Sequence, residues 1–256
     1  MKGDDDASVV VAGVRVGSFT RDSFVDRVLT MARGDSTRVA VGVNAHVCNL
    51  ARTDARLREA LSTSTTYADG QSVVWAARLL GGHLPERLAT TDIAEPILRA
   101  AAAEGLPVYF LGAAEGVAER AAELLRDRIP GLRLRTHHGY ISEGDVSLVL
   151  DEIAAHGTRI LFVGMGDPAQ QYWVENHRDR LPAAVLTCGG LFDWLSGSNR
   201  RAPAWMITSG LEWLWRLMIE PRRLARRYIV GNPAFIAAVL RQRRHETPRR
   251  TPSGVL

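Results

Sequence analysis

The chain has 256 residues, 46% of them hydrophobic and 23% charged, which suits one folded α/β domain with a substantial core and excludes a wholly disordered chain or two full-sized domains. No run approaches the roughly 20 apolar residues that cross a bilayer, residues 1–6 carry three aspartates where a secretory signal carries basic side chains, and Cys48 and Cys188 stand far apart without a Cys/His cluster, so a membrane span, export, a disulfide framework and a zinc site are not expected. The net charge of +4 is uneven: between Arg216 and Arg250 ten arginines face Glu220 and Glu246, which leaves the rest of the chain mildly acidic and its C-terminal part strongly basic.

In chain order, short β-branched or apolar runs predict strands at 9–16, 38–43, 65–68, 108–111, 132–136, 159–163 and 184–187. Helical periodicity predicts helices at 52–62, 73–80, 93–104, 117–128, 146–156 and 169–180. The alternation indicates an α/β fold, a Rossmann-like and largely parallel sheet flanked by helices. After Gly190 no strand is legible, and Pro221 and Pro233 punctuate the sequence into short helices. The expected division is therefore a 1–200 α/β domain followed by a 201–256 basic helical C-terminal appendage and tail.

Several strands run straight into a turn and a helix: TTYADG at 65–70, PVYFLGAAEG at 107–116 and RILFVGMGDP at 159–168. In an open parallel sheet such junctions line the edge where ligands bind. Gly164 and Gly166 in the third junction, and Gly112 in the second, would let backbone N–H groups approach a phosphate; glycines also serve ordinary turns, and neither GxGxxG nor a P-loop is present. Asp69 ends a strand at the same edge, placed to take a proton from an attacking hydroxyl. An aspartate before a helix is also a common N-cap, and from position alone that is the commoner reading. Asn44 and Asp92 carry the same two readings. Gln170 and Gln171 stand in a first helical turn, where amides reach a sugar or simply face water. The DxD of Asp4 to Asp6 lies in a terminal tail, and the adjacent His137 and His138 make a poor ligand pair, so no metal is expected.

In the basic segment Arg216, Arg223 and Arg226 recur at i, i+7 and i+10, one face of a helix if it continues through Pro221. Trp215, Leu217 and Met218 surround them, a composition suited to an anionic membrane surface. A phosphate backbone would also suit it, but no nucleic-acid motif accompanies it. A nicotinamide-dependent oxidoreductase would need the glycine fingerprint that is missing.

Four blocks, 43–92, GMGDPAQQYW, CGGLFDWLSGSNRRAPAW and GLEWLWRLMIEPRRLARRY, resemble the WecG/TagA/CpsF glycosyltransferases in order and spacing. The resemblance covers about residues 9 to 240. It implies an inverting transfer from a UDP-sugar to a polyprenyl-diphosphate-linked saccharide without metal or cofactor, by a homo-oligomer at the inner face of the cytoplasmic membrane. It makes Asp69 the base, places Asn44, Arg87 and Gln170 at the donor or acceptor, and lets Arg216, Arg223 and Arg226 hold diphosphates. The chain departs from the family pattern at Gly42, where threonine is usual, at Thr90, where glycine is usual, and at Gln171, where glutamate is usual.

Overall fold

The computed structural model describes residues 7–198, 202–203, 205–206, 209 and 211–246, without the side chains of Glu212, Arg216, Arg223 and Glu246. The first expected strand is a hairpin, not a single strand over 9–16. Ala12 and Gly13 both take positive φ, 49° and 84°, and this two-residue turn joins β1 (Ser8–Val11) to β2 (Val14–Gly17) antiparallel, Val11 opposite Val14. Alternating valines conceal the turn, because a hairpin keeps the period of two on both of its arms.

The six other strands follow the sequence reading closely: β3 (Arg38–Val43), β4 (Thr65–Ala68), β5 (Val108–Gly112), β6 (Leu134–His137), β7 (Ile160–Gly164) and β8 (Ala184–Thr187). They form one sheet in the order β4-β3-β8-β7-β5-β6, every neighbouring pair parallel. Successive side chains go to opposite faces. Val39, Val41, Val43, Leu161, Val163 and Val185 pack on one face; Ala40, Phe110, Ile160, Phe162 and Leu186 pack on the other. Both faces are apolar because helices cover both, as in parallel sheets generally.

Under the first face lie α2 (Ala45–Ala51), α3 (Ala55–Ser62), α4 (Gln71–Leu79), α7 (Val146–Ala155), α8 (Ala169–His177) and the hairpin. Under the second lie α1 (Arg21–Arg33), α5 (Thr90–Ala103), α6 (Val117–Arg128) and α9 (Leu191–Leu195). The helix expected over 52–62 begins only at Ala55, where Asp54 caps it through Leu57 N–H. α2 is short and mostly apolar, so it offers no readable period, whereas α1 carries a signal that was there to be used: Thr20 and Ser23 cap its start reciprocally.

Close backbone approach explains one conspicuous glycine. Gly112 pairs with Gly164 across β5 and β7 at a φ of 149°, and a methyl group there would lie 2.3 Å from the Gly164 carbonyl oxygen. The pair lets two strand ends meet where side chains would separate them.

The C-terminal part runs through helices Glu212–Ile219 and Pro221–Ala225, a π turn at Arg226–Val230 and a last helix, Gly231–Glu246. The chain turns at Glu220 (φ −126°, ψ 60°), so the segment breaks at Pro221 as its prolines predict, and the condition for one face carrying Arg216, Arg223 and Arg226 is not met. Arg216 and Arg223 lie outside the described side chains, and Arg226 is exposed. The last helix is docked on the body: Phe235 and Val239 are buried in the core beside α2. Asn49 donates to the Gly231 carbonyl at 2.7 Å, and Gln242 both accepts from Ala12 N–H (2.7 Å) and donates to the Val10 carbonyl (2.8 Å). Among the described residues no helix is long and apolar enough to cross a membrane.

Candidate active site

A cavity of about 490 Å³ opens at the carboxyl ends of β3, β4 and β8. Gly42 and Asn44 reach it from β3, Asp69 and Gly70 from β4, and Thr187 to Leu191 from β8. Trp213, Arg227, Tyr228, Asn232 and Phe235 close it from the C-terminal segment. Strands diverge to different neighbours at this end, and ligands of open α/β sheets bind there because turns and helix N-termini gather without side chains filling the crevice.

Asp69 does not cap the helix that follows it; Gly70 takes that position, and α4 has no side-chain cap bond. Its carboxylate instead meets the start of α5. Oδ1 accepts from Thr90 N–H at 2.9 Å and from Thr90 Oγ1 at 3.0 Å, while Oδ2 accepts from Asn44 Nδ2 at 3.3 Å. Asn44 takes the helix-cap reading and also stands on the cavity lining. Its Oδ1 caps α2 through His46 and Val47 N–H (3.0 and 3.2 Å), and its amide nitrogen turns to Asp69. Arg227 Nη2 donates to the same Asn44 oxygen at 3.4 Å.

Arg87 lines the cavity, and its Nη2 lies 3.0 Å from Asp92 Oδ2, both side chains largely buried. Asp92 is not before a helix, since α5 already begins at Thr90; it sits in the first turn and pairs with Arg87. Gln170, 3% exposed, accepts from Gly189 N–H at 3.0 Å and donates to Asp167 Oδ1 at 2.7 Å. Gln171 donates to that same oxygen at 2.7 Å. The Gly164 turn thus brings the Asp167 carboxylate, held by two amides, to the cavity.

The cavity therefore brings together Asn44, Asp69, Arg87 and Gln170 and leaves Asp92, Gly112, Gly164, Gly166 and Arg226 off its lining. Gly164 packs against Phe192 and the Gly189 carbonyl. Sequence reasoning missed Arg227, His46 and Trp213. Arg227 lies in the π turn beyond the break at Glu220, so the helical register read from Arg216 does not extend to it. Half-buried His46 has its pKa lowered by burial and then by the positive charge of Arg227, with Asp167 opposing. At the cavity floor Thr187 keeps a buried hydroxyl without a hydrogen-bond partner among the described residues. No three His, Cys, Asp or Glu side chains gather among the described residues, and Asp4 to Asp6 lie outside them.

The sequence pattern of the Glycosyl transferase WecG/TagA/CpsF family matches residues 9–249. An N-acetylglucosaminyldiphosphoundecaprenol N-acetyl-beta-D-mannosaminyltransferase of Bacillus spizizenii is 34% identical over 190 residues, 73% of this chain and 72% of its own length. A protein of the same description from Staphylococcus aureus is 29% identical over 242 residues, 93% of this chain and 94% of its own.

Proposed function

The chain belongs to the WecG/TagA/CpsF family of glycosyl transferases, and we propose that it moves N-acetylmannosamine, or a related hexose or uronic acid, from a UDP donor to a polyprenyl-diphosphate-linked saccharide. The product serves a cell-wall polymer or an exopolysaccharide. The observation that carries this reading is a half-buried carboxylate on the cavity wall, Asp69, with one oxygen held by Thr90 and the other turned toward Asn44.

In the proposed step the acceptor hydroxyl attacks the anomeric carbon from the side opposite the nucleotide. A new carbon–oxygen bond forms, the bond from that carbon to the diphosphate oxygen breaks, UDP departs with the electron pair, and the hydroxyl proton passes to Asp69. Attack from the opposite side inverts the anomeric centre. Growing charge on UDP needs cationic or N–H partners; Arg227 and Arg87 line the cavity, and a guanidinium suits diphosphate geometry without requiring a metal.

A lipid-linked acceptor also fits the cavity's rim. Trp75 is 50% and Ile236 57% exposed there, apolar groups beside a basic segment, a combination that favours peripheral contact with an anionic cytoplasmic leaflet.

The test is transfer from a panel of UDP-sugars to polyprenyl-diphosphate-linked N-acetylglucosamine on liposomes. Native protein is expected to use at least one donor, and Asp69→Asn to lose roughly 10²- to 10⁴-fold in kcat. Equal rates for native and Asp69→Asn, or no transfer from any donor to an acceptor shown competent with another transferase, would overturn the reading.

A further inference from the structure

Tyr67 is fully enclosed between β3 and the helices of the second face, at 0% exposure, and its hydroxyl lies 2.9 Å from Thr90 Oγ1. Thr90 Oγ1 in turn lies 3.0 Å from Asp69 Oδ1. The direction of the two bonds follows from the ends of the chain. A carboxylate oxygen accepts, so Thr90 gives its single hydroxyl proton to Asp69, and the Tyr67 hydroxyl is left to donate to Thr90. Burial, followed by the negative charge of Asp69, pushes the Tyr67 hydroxyl well above its ordinary range, so it keeps the proton that this direction requires.

The opposite side is closed by backbone. A methyl group on Gly42 would lie 2.9 Å from Asp69 Cβ and 3.1 Å from both Tyr67 Cζ and the Tyr67 hydroxyl. Asp69 is thus confined between the bare β3 backbone and the start of α5. Its two oxygens are unequal in consequence: Oδ1 takes two donors from Thr90, and Oδ2 takes the longer bond from Asn44.

We propose that Tyr67 and Thr90 are positioning residues, a buried hydroxyl relay that fixes Asp69 Oδ1 so that Oδ2 is the oxygen presented to the acceptor hydroxyl. The inference rests on Asp69 being the base. A relay of this kind acts on the transition state more than on donor binding, because it sets the angle at which the proton is received.

The experiment measures kcat and donor KM for native protein, Thr90→Ser, Thr90→Val, Tyr67→Phe and the Thr90→Val/Tyr67→Phe pair, with thermal unfolding of each. Thr90→Val is expected to lower kcat roughly tenfold to a hundredfold, the loss of a hydrogen bond to a charged group, with donor KM nearly unchanged. Thr90→Ser, which keeps the hydroxyl, retains kcat within about threefold of native. Tyr67→Phe lowers kcat alone but adds nothing to Thr90→Val, because it acts through Thr90.

A folded Thr90→Val with native kcat overturns the relay, as does a Thr90→Ser that loses as much as Thr90→Val. So does an additive loss in the double variant. Should Thr90→Val not fold, Tyr67→Phe and Thr90→Ser decide alone, and native kcat in Tyr67→Phe overturns the proposal. Native protein that transfers no sugar removes the base and the relay together, whereas active native protein with an indifferent Thr90→Val removes the relay and leaves the base.

Discussion

At the scale of single residues, a helix cap and a place on the cavity wall are compatible. Asn44 caps α2 with its oxygen and meets Asp69 with its nitrogen, since an amide carries both donor and acceptor. Asp69 binds the first N–H of α5, a helix 21 residues away in sequence, and no local pattern announces that. The departures at positions 42 and 90 are spatial neighbours, with the Tyr67 hydroxyl against both. Gly42→Ala is expected to displace Asp69 and lower kcat by roughly tenfold or more, with the fold retained, measured by turnover beside a melting curve. Arg227→Ala should raise the donor KM roughly tenfold by removing a charge-assisted contact to the diphosphate, and an unchanged KM for every donor would assign that arginine elsewhere. Cys48 is buried with its thiol pKa pushed up to about 12, and burial raises that of Cys188 too. Cys48, which is off the cavity, should resist a thiol-modifying reagent in native protein and react on unfolding.

At the scale of elements, the last helix belongs to the core as much as to the cavity. Phe235 and Val239 are buried against α2, and Gln242 bridges to the β1–β2 hairpin. Phe235→Ala is expected to destabilise the protein by about 3–5 kcal/mol, read from denaturant unfolding. Removal of the whole basic segment would therefore uncover apolar surface, and loss of activity in such a truncation would report folding as well as catalysis. Point changes at Arg227 separate the two. Helix continuity also decides register: an uninterrupted α-helix would have aligned Arg216, Arg223 and Arg226, whereas the chain breaks at Glu220 and Arg227, in the π turn that follows, lines the cavity.

At the scale of the whole molecule, three histidines have folded-state pKa values below the ordinary one: His46, His156 and His177, in each case chiefly through burial. Between those values and the unfolded value of about 6.5, the unfolded chain binds more protons than the folded one, so stability rises with pH and is lost as pH falls through that window. The melting temperature is expected to be lower at pH 5.5 than at pH 7.5, and His46→Gln to narrow the difference; an unchanged difference would exclude His46 as a contributor. Asp54 and Glu104, whose pKa values are lowered by hydrogen bonds from Tyr172 and Arg33, act in a separate window further into acid. The sequence by itself determined the α/β class, six of the strands and the edge on which Asn44 and Asp69 stand, because strand burial and the βα turn leave periodicities and residue types that are local. It also carried the family, whose spacing survives in blocks. Tertiary structure alone decided the β1–β2 hairpin, the pairing of Asp69 with Thr90, the place of Arg227 on the cavity lining and the docking of the last helix. Each of those depends on contacts between residues distant in the chain, where geometry, not local propensity, selects the partner.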